Sequence, residues 1–94
     1  MKKNNPIGDY IRIKRAELRI SQTEVAIRTG HMQATISEIE NGTKRTKDDT
    51  LLSIFTRGFR MHKDEALRVL VELRIKEMLL KVPERQARKI IKAL

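Results

Sequence analysis

The sequence predicts an all-α protein of six helices. Its 94 residues are enough for one hydrophobic core, and two independent cores would be hard to build at this length. Apolar residues recur at helical intervals along most of the chain, and few runs show the alternation that a half-buried strand requires. Residues that start and stop helices separate these runs, and no Asn-Gly or Asp-Gly pair joins two strand-like runs.

The first helix is expected over residues 6–18. Asn5 suits the N-cap, and Pro6 suits the first helical position because that position needs no backbone N–H donor. The apolar side chains that fall on its predicted inner face are Ile7, Ile11 and Leu18.

Two short helices follow on either side of a glycine. Ser21, with Glu24 three residues later, matches a capping box at the start of the first of them. Gly30 suits the left-handed turn that ends this helix, and a second helix over residues 33–40 stops at Asn41-Gly42. The residues predicted to face the core are Val25, Ala26, Ile36 and Ile39.

The second half of the chain predicts three further helices. Thr46-Lys47-Asp48-Asp49 repeats the capping pattern and is expected to open a helix that runs to about residue 57, after which Gly58 breaks the chain. A long helix follows over residues 64–82, and a proline then starts a last helix over residues 83–94. The apolar side chains expected to reach the core from this half are Leu51, Leu52, Ile54, Phe55, Phe59 and Met61.

The long helix carries two apolar faces, one more than a helix on a single core requires. The face expected to cover the rest of the domain carries Ala66, Val69, Leu70, Leu73 and Leu80. The other face and the last helix are predicted to form a dimer interface of Leu67, Val71, Ile75, Met78, Leu79, Val82, Ile90 and Ile91. The alternative is that the last helix covers both faces within one monomer.

The charge of the chain favours an anionic partner. Lys and Arg number 21 against 12 Asp and Glu, and a net charge of +9 attracts polyanions, most often nucleic acid. The aromatic residues are one Tyr and two Phe, too few for the base-stacking surface of common single-strand and RNA binders.

Other classes of protein and site are disfavoured. The chain has no Cys, which excludes a disulfide framework and a thiolate zinc site. No apolar run approaches a membrane span or a signal peptide, so a cytoplasmic location is expected. The carboxylate pairs Asp48-Asp49 and Asp64-Glu65 are each expected at the start of a helix, where negative charge interacts favourably with the helix dipole. His31 and His62 lie far apart in the sequence, so they do not suggest a metal site. We therefore expect no catalytic residue, no metal site and no cofactor.

Residues 21–30 (SQTEVAIRTG) and 33–42 (QATISEIENG) closely resemble the helix-turn-helix unit of the lambda-repressor-like family, also called the xenobiotic-response-element (XRE) family. The resemblance implies a five-helix DNA-binding domain over residues 1–61, with the helix-turn-helix at about 21–41. The extended fifth helix and an additional C-terminal helix, residues 62–94, then form a dimerisation region.

The resemblance also implies roles for individual residues. The residues that read base edges in the major groove are Gln33, Ala34, Ser37 and Glu38. The residues that bind DNA phosphates are Gln22, Asn41, Thr43, Lys44 and Arg45. Arg15 and Glu40 match an internal salt bridge. Lys2 and Lys3 form either an arm along the DNA or a disordered tail.

The sequence departs from the family pattern at several points. Met32 replaces the usual Ser or Thr cap of the recognition helix, and Arg19 replaces a common Gly at the end of the first helix. About one extra residue is needed between residues 57 and 63. No Arg or Lys lies within residues 33–40, so the commonest guanine contact is missing from that face.

These features predict a sequence-specific regulator of transcription that binds double-stranded DNA. We expect a repressor that binds an inverted repeat as a homodimer, since the chain leaves little room for a sensor or activation domain. The alternative is an antitoxin-type adaptor, whose helices over residues 64–94 bind a partner protein and whose DNA binding regulates its own synthesis.

Overall fold

The computed structural model describes residues 5–94, and within that range it contains helices and no strand. Six α-helices follow one another, which confirms the all-α fold class. A π-helical turn, Ile54–Gly58, continues the fourth helix. The α-helices are α1 Pro6–Leu18, α2 Gln22–Thr29, α3 Gln33–Asn41, α4 Asp48–Ser53, α5 Lys63–Leu80 and α6 Glu84–Ala93.

Local signals set the starts of α1 and α2 as predicted. The Asn5 side chain accepts a hydrogen bond from the N–H of Gly8 at 3.1 Å. The Ser21 hydroxyl accepts one from the N–H of Glu24 at 3.0 Å. The Glu24 carboxylate accepts a hydrogen bond from Arg28 at 3.1 Å, so it supports α2 one turn further along.

The core lies where α1, α2, α3 and α5 meet α4 and the π-turn. The Phe55 ring lies at its centre, edge-to-face with Tyr10 and stacked with Phe59. Two residues predicted to face inwards are exposed: Leu18 by 41% and Leu80 by 52%, because each ends its helix beyond the core. The buried apolar residues are Ile7, Ile11, Val25, Ala26, Ile36, Ile39, Leu51, Ile54, Phe55, Phe59, Met61, Ala66, Leu70 and Leu73.

The predicted cap of α4 is wrong. Lys47 occupies the N-cap position and makes no side-chain cap bond. The Thr46 hydroxyl instead donates to the carbonyl of Lys44 at 3.4 Å. The Thr46 carbonyl is held by Arg74 of α5 at 2.6 Å, and this tertiary contact keeps Thr46 in the loop.

The sequence predicts that the fourth helix stays α-helical to residue 57, but its last part is a π-turn, which contains more residues per turn than an α-helix. The N–H of Phe59 donates to the carbonyl of Ile54 at 2.9 Å, which closes a wider turn than an α-helix does. Gly58 lies against α2, and a Cβ at this position would come within 3.2 Å of the Val25 side chain. The turn therefore holds one residue more than an α-helical turn of the same span.

α5 divides its apolar residues between the core and the surface. Its buried residues are Ala66, Leu70 and Leu73, with Val69 packed against them. The residues exposed on the other side are Leu67, Val71 and Met78, and those half-buried there are Ile75, Leu79 and Val82. Among the described residues, α6 makes no extensive contact with another helix. Leu67, Val71 and Met78 therefore remain exposed on the outer face of α5.

Candidate nucleic-acid interface

α2, a tight turn and α3 form a helix-turn-helix. Gly30 has a φ of +77°, a left-handed conformation that glycine adopts without a steric cost. Ala26 on α2 is buried against the core, as are Ile36 and Ile39 on α3. Because two apolar residues fix one side of α3 inwards, the opposite side faces outwards.

A buried ion pair ties the end of α3 to α1. The Glu40 side chain is only 3% exposed. Its carboxylate accepts hydrogen bonds from Arg15 Nε at 2.6 Å and Nη2 at 2.9 Å. Arg15 Nη1 also donates to the carbonyl of Ile20 at 3.1 Å. The hydrogen bonds with Glu40 raise the pKa of Arg15, so the guanidinium stays charged.

Asn5 makes a second link between the same two helices. Its side-chain amide donates to the carbonyl of Glu40 at 3.0 Å, and Arg12 donates to the same carbonyl at 3.3 Å. Gly8 and Gly42 leave room for Asn5, since a Cβ on either would overlap its side chain. The sequence indicated Asn5 as a cap, but the contact 35 residues away has no local signal.

Two of the predicted DNA-binding amides meet where the first residues of α2 and α3 lie side by side. Gln33 Nε2 donates to Gln22 Oε1 at 2.6 Å, which joins the predicted base-reading residue to the predicted phosphate-binding residue. Ala34 is exposed beside them. The hydrogen bond couples the orientations of the two amides.

The second half of α3 and the start of the loop after it carry four more of the predicted residues. Asn41 is exposed and lies within 3.5 Å of the half-buried Ser37 hydroxyl. Glu38 is half-buried, and its carbonyl accepts hydrogen bonds from the N–H of Thr43 at 3.1 Å and its hydroxyl at 3.3 Å. These contacts hold the chain in a defined path as it leaves the helix.

The loop at residues 43–47 adds exposed positive charge next to α3. Lys44, Arg45 and Lys47 are all exposed. Among the side chains that the structure describes (residues 5–83, 85, 86 and 88–94), no carboxylate lies within ion-pair distance of any of the three. Their charges are therefore available to an anionic ligand such as a phosphate backbone.

Arg74 on α5 anchors this loop. It donates to the Thr46 carbonyl at 2.6 Å, to Asp48 at 2.9 Å and to Glu77 at 2.8 Å. Burial lowers the pKa of Arg74, but the hydrogen bonds with Glu77 and Asp48 outweigh it and hold that pKa above its ordinary value. The sequence assigned no role to Arg74, because two of its partners lie 26 and 28 residues away.

Other kinds of site have little support in the described chain. Among the described side chains, which do not include Glu84, no three His, Cys, Asp or Glu residues are grouped so that they could hold a metal ion. No helix in that range combines the length and the apolar character that crossing a bilayer requires. Lys2 and Lys3 lie outside the described residues.

The comparisons with known proteins agree with this geometry. A sequence model described as helix-turn-helix matches residues 11–57, which is half of the chain. Neither the curated proteins nor the solved structures include a significant match. The matched segment begins in α1 and ends in the π-turn, and it contains α2 and α3 completely.

Proposed function

The chain belongs to the lambda-repressor-like (XRE) helix-turn-helix family of DNA-binding regulators, and from this membership we propose that it represses transcription as a homodimer on an inverted repeat. The family is regulatory and is not typically enzymatic. DNA binding by α2 and α3 follows from membership. Sequence-specific repression, the dimer and the inverted repeat are the proposed steps beyond it.

The observation that carries the proposal is the surface formed by α3 and the loop behind it. The outward side of α3 offers Gln33 and Ala34 to base edges, and this side has no positive charge of its own. Lys44 and Arg45 follow within a few residues as free cations that suit phosphates. The base-reading residues carry no positive charge and the cations lie in the loop behind them, and this separation favours specific binding over coating by net charge alone.

The outer face of α5 supports self-association. Leu67, Val71 and Met78 are 40%, 56% and 45% exposed and recur at helical spacing. Together with Ile91 on α6, which is 56% exposed, they leave apolar surface in water that a second copy would cover. The proposed interface is completed by the half-buried Ile75, Leu79, Val82 and Ile90.

A two-fold dimer determines the form of the operator. The two copies of α3 would enter successive major grooves, so half-site centres should lie about 34 Å apart, one turn of DNA. A bound dimer then represses by occupying promoter DNA.

Selection of bound sequences from a random duplex pool at near-physiological salt tests this proposal. We expect a palindromic consensus with half-site centres about 10 base pairs apart. Enrichment of a single, non-repeated site would contradict the symmetric dimer. No enrichment at all would contradict sequence-specific binding.

The basic loop is tested on the selected duplex with the double variant Lys44→Ala/Arg45→Ala. Loss of two phosphate contacts should weaken binding to all sequences alike. It should also lower the number of counterions released on binding, measured from the slope of log affinity against log salt, by about two. Lys63→Ala is a control that removes one exposed charge about 16 Å from Arg74 along α5, and it should leave the affinity nearly unchanged. A change in base preference would contradict the assignment of the loop to phosphates.

A further inference from the structure

Met32 lies at the start of α3 with its side chain in solvent. It is 73% exposed and immediately precedes Gln33, the first residue of the helix. Met32 occupies the N-cap position but makes no side-chain cap hydrogen bond. A Ser, Thr, Asn or Asp would make that bond, so the position gives up a local stabilising contact and exposes a thioether instead.

The neighbours of Met32 on α3 form a small amide and apolar surface. The Gln33 side-chain amide donates a hydrogen bond to Gln22 Oε1 at 2.6 Å, and Ala34 is exposed. Residues 33–40 contain no Lys or Arg, so the face lacks the usual bidentate partner of guanine. In the major groove an amide pairs best with adenine, and an apolar group contacts the 5-methyl group of thymine.

We propose that Met32 is a specificity-determining residue whose side chain contacts the 5-methyl group of a thymine. The half-site is then A·T-rich where it faces the first turn of α3. This inference rests on the proposed function, because it requires α3 in the major groove of a specific site. The unbranched, flexible thioether can follow the methyl group without making a hydrogen bond.

The test replaces each thymine of the selected duplex, one at a time, by deoxyuridine, which removes only the 5-methyl group. At one thymine in each half-site, the loss of one buried carbon should weaken binding by about fourfold. The Met32→Ala variant should bind the thymine duplex more weakly and lose nothing further on that replacement. Ile27→Ala removes an apolar side chain that is 71% exposed on α2, and it should keep the fourfold loss.

The outcomes separate this inference from the proposed function. If Met32→Ala retains the fourfold loss, another residue makes the contact and the inference is wrong. If every uracil duplex binds as tightly as its thymine parent, the inference is wrong while specific binding stands. If no duplex is enriched, the proposed function and this inference fail together. Circular dichroism melts show whether each variant is folded before binding is measured.

Discussion

Replacing Arg15 by Met should remove a large share of the folding free energy. Arg15 provides both hydrogen bonds to a carboxylate that is 3% exposed, at 2.6 Å and 2.9 Å. Met is also a long side chain but carries no donor, so Glu40 would keep its buried position without a counter-charge. Breaking a buried pair in this way costs about 3–5 kcal/mol. Small domains have a total stability of about 5–15 kcal/mol.

Urea denaturation followed by circular dichroism measures this loss. Lys14→Met is the matched control on the same helix, because Lys14 lies 3.9 Å from a carboxylate of Glu17 that is 60% exposed. That exposed pair should contribute no more than about 1 kcal/mol. Adding Glu40→Gln to Arg15→Met should restore part of the stability, since a neutral amide costs less to bury than a carboxylate. A loss below about 1 kcal/mol for Arg15→Met, or no recovery in the double variant, would refute the reasoning.

Three other predictions concern different parts of the fold. Gly8→Ala should destabilise the domain by about 1–3 kcal/mol in thermal melts, because the new Cβ would overlap the Glu40 carbonyl; an unchanged melting temperature would contradict the close approach. Arg74→Ala should release the basic loop and lower DNA affinity for all sequences alike in filter binding, whereas Glu77→Ala removes only one partner of Arg74 and should have a smaller effect. Burial raises the pKa of Tyr10 above its ordinary value of 10.0, and nearby carboxylates raise it further. The folded state therefore holds the phenol proton more tightly, and this stability is complete below about pH 10 and lost as the pH rises through the raised pKa. Tyr10→Phe should lose less stability than the parent between about pH 9 and pH 11, and parallel losses would contradict this assignment.

The first three helices could be predicted almost to the residue because their boundaries are set locally. Asn5 and Ser21 each accept a hydrogen bond from an N–H three residues later, and Gly30 ends α2 by its own backbone conformation. Such signals lie within one helical turn and can be identified from the sequence alone. The inward pair Ile36 and Ile39 follows from helical spacing in the same way.

The features that the sequence did not indicate depend on contacts between distant residues. Thr46 has a good capping side chain, but Arg74 holds its carbonyl in the loop from 28 residues away. Leu18 has the right spacing for the core, but α1 ends beyond the part that α3 and α5 cover. The outward residues of α3 came from the family resemblance, and the Gln22–Gln33 hydrogen bond that orients two of them needed the folded chain.

The π-turn at residues 54–58 has a consequence for how relatives of different length are compared. The matched helix-turn-helix segment ends within this turn, α5 follows it, and the last residue of the turn, Gly58, contacts α2. A relative with one residue fewer can close the same segment as an ordinary α-helical turn and keep both neighbours in place. Alignments should therefore place the gap inside this turn and not in the connection at residues 59–62. With the gap inside the turn, the residues on both sides of it are paired with their structural equivalents. A gap in the connection would instead pair residues of the turn with the wrong positions.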